Sequence, residues 1–200
     1  ELSTESSGQG GDEAMGIMDQ LLDRTGRTLT APQYCAVRSV VSQESQKTVL
    51  YLNLALNVLM QWTSDTSADA HLAVNVGPVI RQLFAAIERD FGDVLVQMAL
   101  GFMTYSANGI SDVEMEDLLS LNDGVLTFVF QYAKPNIKRI PSHVWLRVKR
   151  RLLEMRLVSV VPSPLKEVAE AYLDHVKPEA HRIMGDYFSN RLDETRRTEQ

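Results

Sequence analysis

Apolar residues recur at helical spacing along nearly the whole chain, and the breaks between recurrences divide it into segments. Met15, Met18, Leu21 and Leu22 form one stripe that ends near Gly26, which predicts a short amphipathic helix from about residue 13. In the next segment Thr30 can accept bonds from free backbone amides, Pro32 tolerates a first-turn position, and Tyr34, Val37, Val40 and Val41 supply an apolar face. The stretch 47–62 is apolar on most sides through Leu50, Leu52, Leu54, Leu56, Val58 and Leu59, which suits a helix wrapped by neighbours. A polar break at 64–70 separates it from 76–89, where Val79, Ile80, Leu83, Phe84 and Ile87 repeat the spacing. Gly92 marks a tight corner, and a further apolar helix over 93–105 ends at Asn108-Gly109, residues that tolerate a left-handed turn.

Ser111 and Glu114 then have capping-box spacing ahead of Val113, Leu118, Leu119 and Leu121, and Asn122 caps a short helix reaching Tyr132. Pro135 and Pro141 bracket a loop that carries Lys138 and Arg139, and residues 144–154 form a basic amphipathic helix. The β-branched run 157–161, closed by Pro162 and Pro164, predicts a short edge or hairpin strand with 137–140 as its candidate partner. Helices over about 164–174 and 179–192 follow. The expected fold class is mainly α. A small helical bundle over 13–108 precedes a winged-helix-like domain with a short β-hairpin over 109–192. A disordered Ser/Gly/Glu/Gln-rich linker is expected over 1–12 and a polar tail over 193–200.

Composition narrows the setting. The 200 residues are 44% hydrophobic and 23% charged, with 20 Lys+Arg against 26 Asp+Glu and a net charge of −6, an ordinary globular balance. One cysteine, Cys35, excludes an intramolecular disulfide and a Cys-based zinc site, which favours a reducing, cytoplasmic setting; in its helix it reads as a small buried hydrophobe. The longest apolar tract, 49–60, is too short to span a bilayer and is broken by Asn53 and Asn57, so no membrane partner is expected. The chain opens on Glu1 with no targeting pattern behind it, as expected of an internal piece of a longer protein.

No catalytic constellation is legible. His71, His143, His175 and His181 lack the one-turn spacing that sets two metal ligands on one helix face. There is no glycine-rich loop ending in Gly-Lys-Ser/Thr, and no Gly-x-Ser-x-Gly elbow. Asp112, Glu114 and Glu116 fall at a helix start, where their charge complements the macrodipole, and Trp62 and Trp145 sit in apolar patterns as core anchors. One charge feature rises above this background. Lys134, Lys138, Arg139, Arg147, Lys149, Arg150, Arg151 and Arg156 face the single acid Glu154. Within it, Lys138, Arg139, Arg147, Lys149, Arg150 and Arg151 read as a solvated face, as a candidate patch that meets an acidic neighbouring domain or another partner or, on a winged helix, as one for nucleic acid.

Ordered motifs carry a resemblance. Phe91-Gly92-Asp93 to Leu100 comes first, followed by Gly109-Ile110-Ser111 with Glu114 and by Asp117-Leu118-Leu119-Ser120-Leu121 with Asp123. Arg139-Ile140-Pro141 and Val144-Trp145-Leu146-Arg147 follow, and the series closes on Leu165-Lys166-Glu167-Val168, Tyr172-Leu173 and His181 through Asp186-Tyr187-Phe188. Together they resemble the region after the nucleotide-binding core of STAND-class NTPases, closest to the NACHT and WD-repeat or nephrocystin-3 type, over about residues 13–192. The resemblance implies a helical and winged-helix module that converts ADP or ATP state into assembly or effector release. Its partners would be an upstream nucleotide-binding domain and a downstream repeat domain of the same protein, in a signalling or scaffold role, and no cofactor would be held by this chain alone. It also marks two departures: Val49 stands where such proteins often carry a proline near the adenine, and Pro162 where they carry a sensor histidine. A proline has no side-chain donor for a phosphate, so nucleotide sensing is expected to be lost or altered.

Overall fold

The computed structural model describes residues 6–42, 48–65, 71–132, 138–155, 157 and 163–198. All regular structure among these residues is helical, in the order α1 (Ser6–Thr25), α2 (Ala31–Val41), α3 (Val49–Leu59), α4 (Val76–Phe91), α5 (Asp93–Tyr105), α6 (Asp112–Ser120), α7 (Asp123–Val129), α8 (Ser142–Glu154), α9 (Ser163–Tyr172) and α10 (Lys177–Thr198). The chain divides into two compact units, Glu1–Leu83 and Phe84–Gln200, so the division falls within α4 rather than at 108/109. The reason lies in α5, which packs on α6, α7, α9 and α10. The Asn108-Gly109 break is therefore a turn inside the second unit, with Gly109 at φ 78° and its carbonyl accepting from Ser106 Oγ at 2.8 Å.

In the first unit α1 packs on α2 and α3. Met15, Met18 and Leu22 of α1, Val37 and Val41 of α2, and Tyr51, Leu52, Ala55 and Leu59 of α3 are buried, as is Trp62 beyond α3. Local bonds start the helices. The Gln33 side chain accepts from the Thr30 amide at 3.1 Å, and Thr48 Oγ1 accepts from the Tyr51 amide at 3.2 Å. Buried Gln33 also donates to the Thr63 carbonyl at 2.8 Å, tying the first turn of α2 to the segment after α3. Two readings change here. The helix begins at Ser6, within the expected linker, whose residues 1–5 lie outside the described set. Gly11 permits this, because a Cβ there would lie 3.0 Å from the Ser42 carbonyl oxygen, so the bare glycine lets α1 reach the end of α2. Cys35 is exposed rather than buried, because the inward stripe of α2 runs through Gln33, Val37 and Val41, and Cys35 is not on it.

In the second unit α5 is apolar on nearly all sides, with Leu95, Val96, Met98, Ala99, Leu100, Gly101 and Phe102 buried. The capping box forms as the spacing implies: the Glu114 amide donates to Ser111 Oγ at 3.3 Å, and the Ser111 amide to Glu114 Oε2 at 3.0 Å. Buried Asn122 caps α7 through the Val125 amide at 2.8 Å, and its Nδ2 donates to Glu179 of α10 at 3.0 Å. The β-hairpin has no counterpart among the described residues. Of the expected strand, 158–161 lie outside them, and the Leu157 amide instead donates to the Leu152 carbonyl at 3.0 Å, closing the end of α8. Of its suggested partner, Ile140 is buried and its amide donates to Ser120 Oγ at 3.0 Å. A winged-helix-like domain is therefore not supported here: the apolar run serves burial and helix termination at the one position described. The polar tail is also shorter than expected, because α10 continues to Thr198.

Candidate interaction surface

The basic segment lies on the loop before α8 and on α8 itself, and carboxylates from α4 and α6 meet it. Lys149 Nζ lies 2.6 Å from Asp112 Oδ2, and the Trp145 indole nitrogen donates to Asp112 Oδ1 at 2.9 Å. Arg139 Nη2 lies 2.9 Å from Asp117 and 3.5 Å from buried Glu116, whose carboxylate also accepts from Ser142 Oγ at 2.9 Å. Arg151 lies 3.7 Å from Asp90 and 3.3 Å from Glu154. The Arg147 guanidinium sits over the Phe91 ring, 5.6 Å from its centroid. Lys138 and Arg150 are exposed and have no ion pair among the described residues; Lys134 and Arg156 lie outside that set. Half of the six-residue patch, Arg139, Lys149 and Arg151, is thus neutralised within the fold. This corrects the image of a helix whose whole charge is offered to a partner.

The acids at the start of α6 are likewise more than dipole partners. Asp117 Oδ2 accepts from the Tyr187 hydroxyl at 3.1 Å, and Arg191 of α10 donates to Glu114 Oε1 at 3.2 Å and to the Tyr187 oxygen at 3.0 Å. The hydrogen bonds from Lys149 and then Trp145 hold the Asp112 carboxyl below its ordinary value against the opposing effect of burial. Ser111, through its hydroxyl and then its amide, does the same for Glu114, with Arg191 adding to it. Burial and then Asp117 push the Tyr187 hydroxyl up, and burial and then Glu88 push Tyr172 up to about 12.

These directions fix a pH dependence. A carboxyl depressed in the fold stabilises it above the unfolded value, and that contribution is lost as the pH falls through the folded value, which places the loss below about pH 4. A phenol raised in the fold stabilises it below about pH 10 and loses that contribution as the pH rises through the folded value. Urea midpoints should therefore fall at both ends. Asp112→Asn should lie below the unsubstituted chain at pH 7 and pH 5, and the gap should close on going to pH 2. A gap that persists at pH 2 would assign the loss to packing rather than to charge.

Sequence spacing found Trp145, the α6 acids and the cations but not their pairing, which runs across 22 to 77 positions of chain. It also missed three exposed apolar side chains beside this network: Val113 on α6 and Leu146 and Leu153 on α8. Their signal was present, because Trp145, Val148 and Leu152 already complete the inward stripe of α8 and leave Leu146 and Leu153 outside it.

Comparison with known proteins supplies the context. Human NACHT and WD repeat domain-containing protein 2 is 29% identical over 186 residues, covering 86% of this chain and 11% of that protein. Human NACHT domain- and WD repeat-containing protein 1 is 32% identical over 152 residues, covering 69% of this chain and 10% of that protein. The chain is homologous to one segment of the NACHT and WD-repeat proteins. It spans about a tenth of the length of these curated relatives. No family profile and no solved structure matches it. Of the two positions that the likeness to NACHT proteins singles out, Val49 is the first residue of α3 and 64% exposed, and Pro162 lies outside the described residues. Position 49 is thus a first-turn site where a proline would fit, and a lone exposed valine supplies no polar group to hold a nucleotide.

Proposed function

We propose that this chain is a non-catalytic regulatory and protein-interaction module of a larger STAND-type NTPase, in which the arrangement of helical units is coupled to assembly. The observation that carries the proposal is homology over most of this chain to a small segment of NACHT and WD-repeat proteins. In such a protein ATP or ADP would be held by an upstream nucleotide-binding domain, with a downstream repeat domain as the second neighbour and the cytoplasm as the setting. Val49, and Pro162 by sequence alone, support altered nucleotide sensing in that assembly. No helix of the described residues is long and apolar enough to cross a membrane.

The test is direct. The purified chain should neither hydrolyse ATP nor bind a fluorescent ATP or ADP analogue at micromolar concentration, and should join a separately made NACHT domain of the same protein in a size-exclusion assay. Sustained ATP turnover by the isolated chain, or indifference to every other domain of its parent, would overturn the proposal. The nucleic-acid reading of the basic segment loses ground on a specific observation: Arg139, Lys149 and Arg151 already have carboxylate partners within the fold. A phosphate would have to displace those acids.

A further inference from the structure

The outer face of α8 combines two features that ordinary solvated helices keep apart. Leu146, Arg150 and Leu153 are spaced four and three residues apart on the side away from buried Trp145, Val148 and Leu152. Leu146 and Leu153 are 47% and 48% exposed, and Val113, next in the chain to the Asp112 that grips Lys149, is 61% exposed. Single exposed leucines need no explanation, but three large apolar side chains around one ion pair form a patch. The charges around that patch are largely paired, and those left over are cations. Asp112 pairs with Lys149, and Asp90 and Glu154 with Arg151, whereas Arg150, Arg147 and Lys138 form no ion pair among the described residues, Arg147 resting over the Phe91 ring.

We infer that this face docks an acidic amphipathic helix of a partner protein, whose apolar stripe covers Leu146, Leu153 and Val113 and whose carboxylates meet Arg150 and its neighbouring cations. The spacing suits a helix, because residues four and three apart on α8 present one continuous stripe to a second rod laid along it. The charge pattern sets the sign of the partner: the pairs already closed contribute nothing, and the open cations reward carboxylates at the rim and repel a basic helix. A nucleic-acid duplex suits the face poorly, since phosphates would lie against leucines and leave their surface unburied without gain. A two-fold contact with a second copy is disfavoured as well, because it would set the Arg150 faces of two chains, each of net charge −6, against one another.

This inference rests on the reading of the chain as an interaction module and names the partner's chemistry. Its test is selection of the full chain against a display library of amphipathic helical peptides with randomised flanking charges, followed by fluorescence-anisotropy titration of the recovered peptides. The recovered peptides should be acidic. Leu146→Asp and Arg150→Glu should each weaken their binding by about tenfold or more, the loss typical of a central anchor. Met60→Asp, an exposed control in the first unit, should change nothing, and far-ultraviolet circular dichroism should show all three variants folded. Three results would overturn the docking face: no enrichment, recovery of basic peptides, or binding indifferent to both α8 substitutions. Duplex DNA that binds at low salt and is lost in Arg150→Glu would reassign the face to nucleic acid. Because nucleotide assays probe the module reading independently, ATP turnover would sink that reading, whereas an inactive chain that recovers no acidic helix would sink the docking face alone.

Discussion

Gly92→Ala should destabilise the second unit by about 4 kcal/mol, most of the stability of a domain at the low end of the ordinary range. Gly92 joins α4 to α5 with φ 89° and ψ 136°, a backbone region that side chains rarely adopt, at a cost on the order of 1–3 kcal/mol for any other residue. The space is closed too. A Cβ at this position would lie 2.1 Å from Phe128 Cζ and within 2.7 Å of both neighbouring ring carbons, so the ring lies against the bare glycine. Turning the ring aside would open α7 away from α5, with an overpacking cost of roughly 1–3 kcal/mol in addition. The two contributions can be separated by a double-mutant cycle in urea. Adding Phe128→Ala to Gly92→Ala should cost less than the two single losses summed, because the overlap is gone and only the backbone strain remains. Strict additivity would show that Phe128 yields freely and that the strain alone sets the cost.

The parts of this fold that were legible in the sequence are those made by local bonds. Ser111 with Glu114 and Asn122 ahead of Val125 each close within three residues, and each forms where its spacing says. Gly92 and Gly109 are corners for the same reason. What the sequence could not disclose depends on what the rest of the chain brings near. Leu157 heads a β-branched run, yet its amide closes α8, because the end of a helix offers free carbonyls that no propensity scale records. The polar start of the chain looks unable to offset its ordering entropy, yet α1 begins at Ser6, and the bare Gly11 leaves the room for it to lie close to Ser42.

The candidate surface divides along the same line. Its cations were visible as a run of sequence, and counting them overstated the charge on offer. Asp112 lies 37 positions from Lys149, Asp117 lies 22 from Arg139, and Asp90 lies 61 from Arg151, separations that no local pattern reports. Pairing changes what the surface selects. A uniformly basic helix would favour any polyanion, whereas a half-neutralised one with leucines in its outer stripe favours an apolar partner with a carboxylate rim.

Phe102→Ala should cost the second unit about 4 kcal/mol, while Phe102→Leu should cost about 1. Phe102 is fully buried in α5, the helix on which α6, α7, α9 and α10 all pack. Truncation there removes the apolar surface of a whole ring and leaves a void at a fully buried position of the helix on which four others pack. A site at the edge of a unit can collapse by shifting one helix, which is why large-to-small losses vary so widely. Here collapse on one side opens the other, because Met98 and Leu100 on the same helix are buried as well. Leucine keeps most of the volume and should keep most of the stability. The measurement is chemical denaturation of the three proteins, with the slope of the transition compared as well as its midpoint. Equal slopes with a large shift for alanine and a small one for leucine would place Phe102 at the centre of a cooperative unit. A shift below about 1.5 kcal/mol for alanine would show that the four helices close over the gap, and that α5 is held by its ends rather than by its middle.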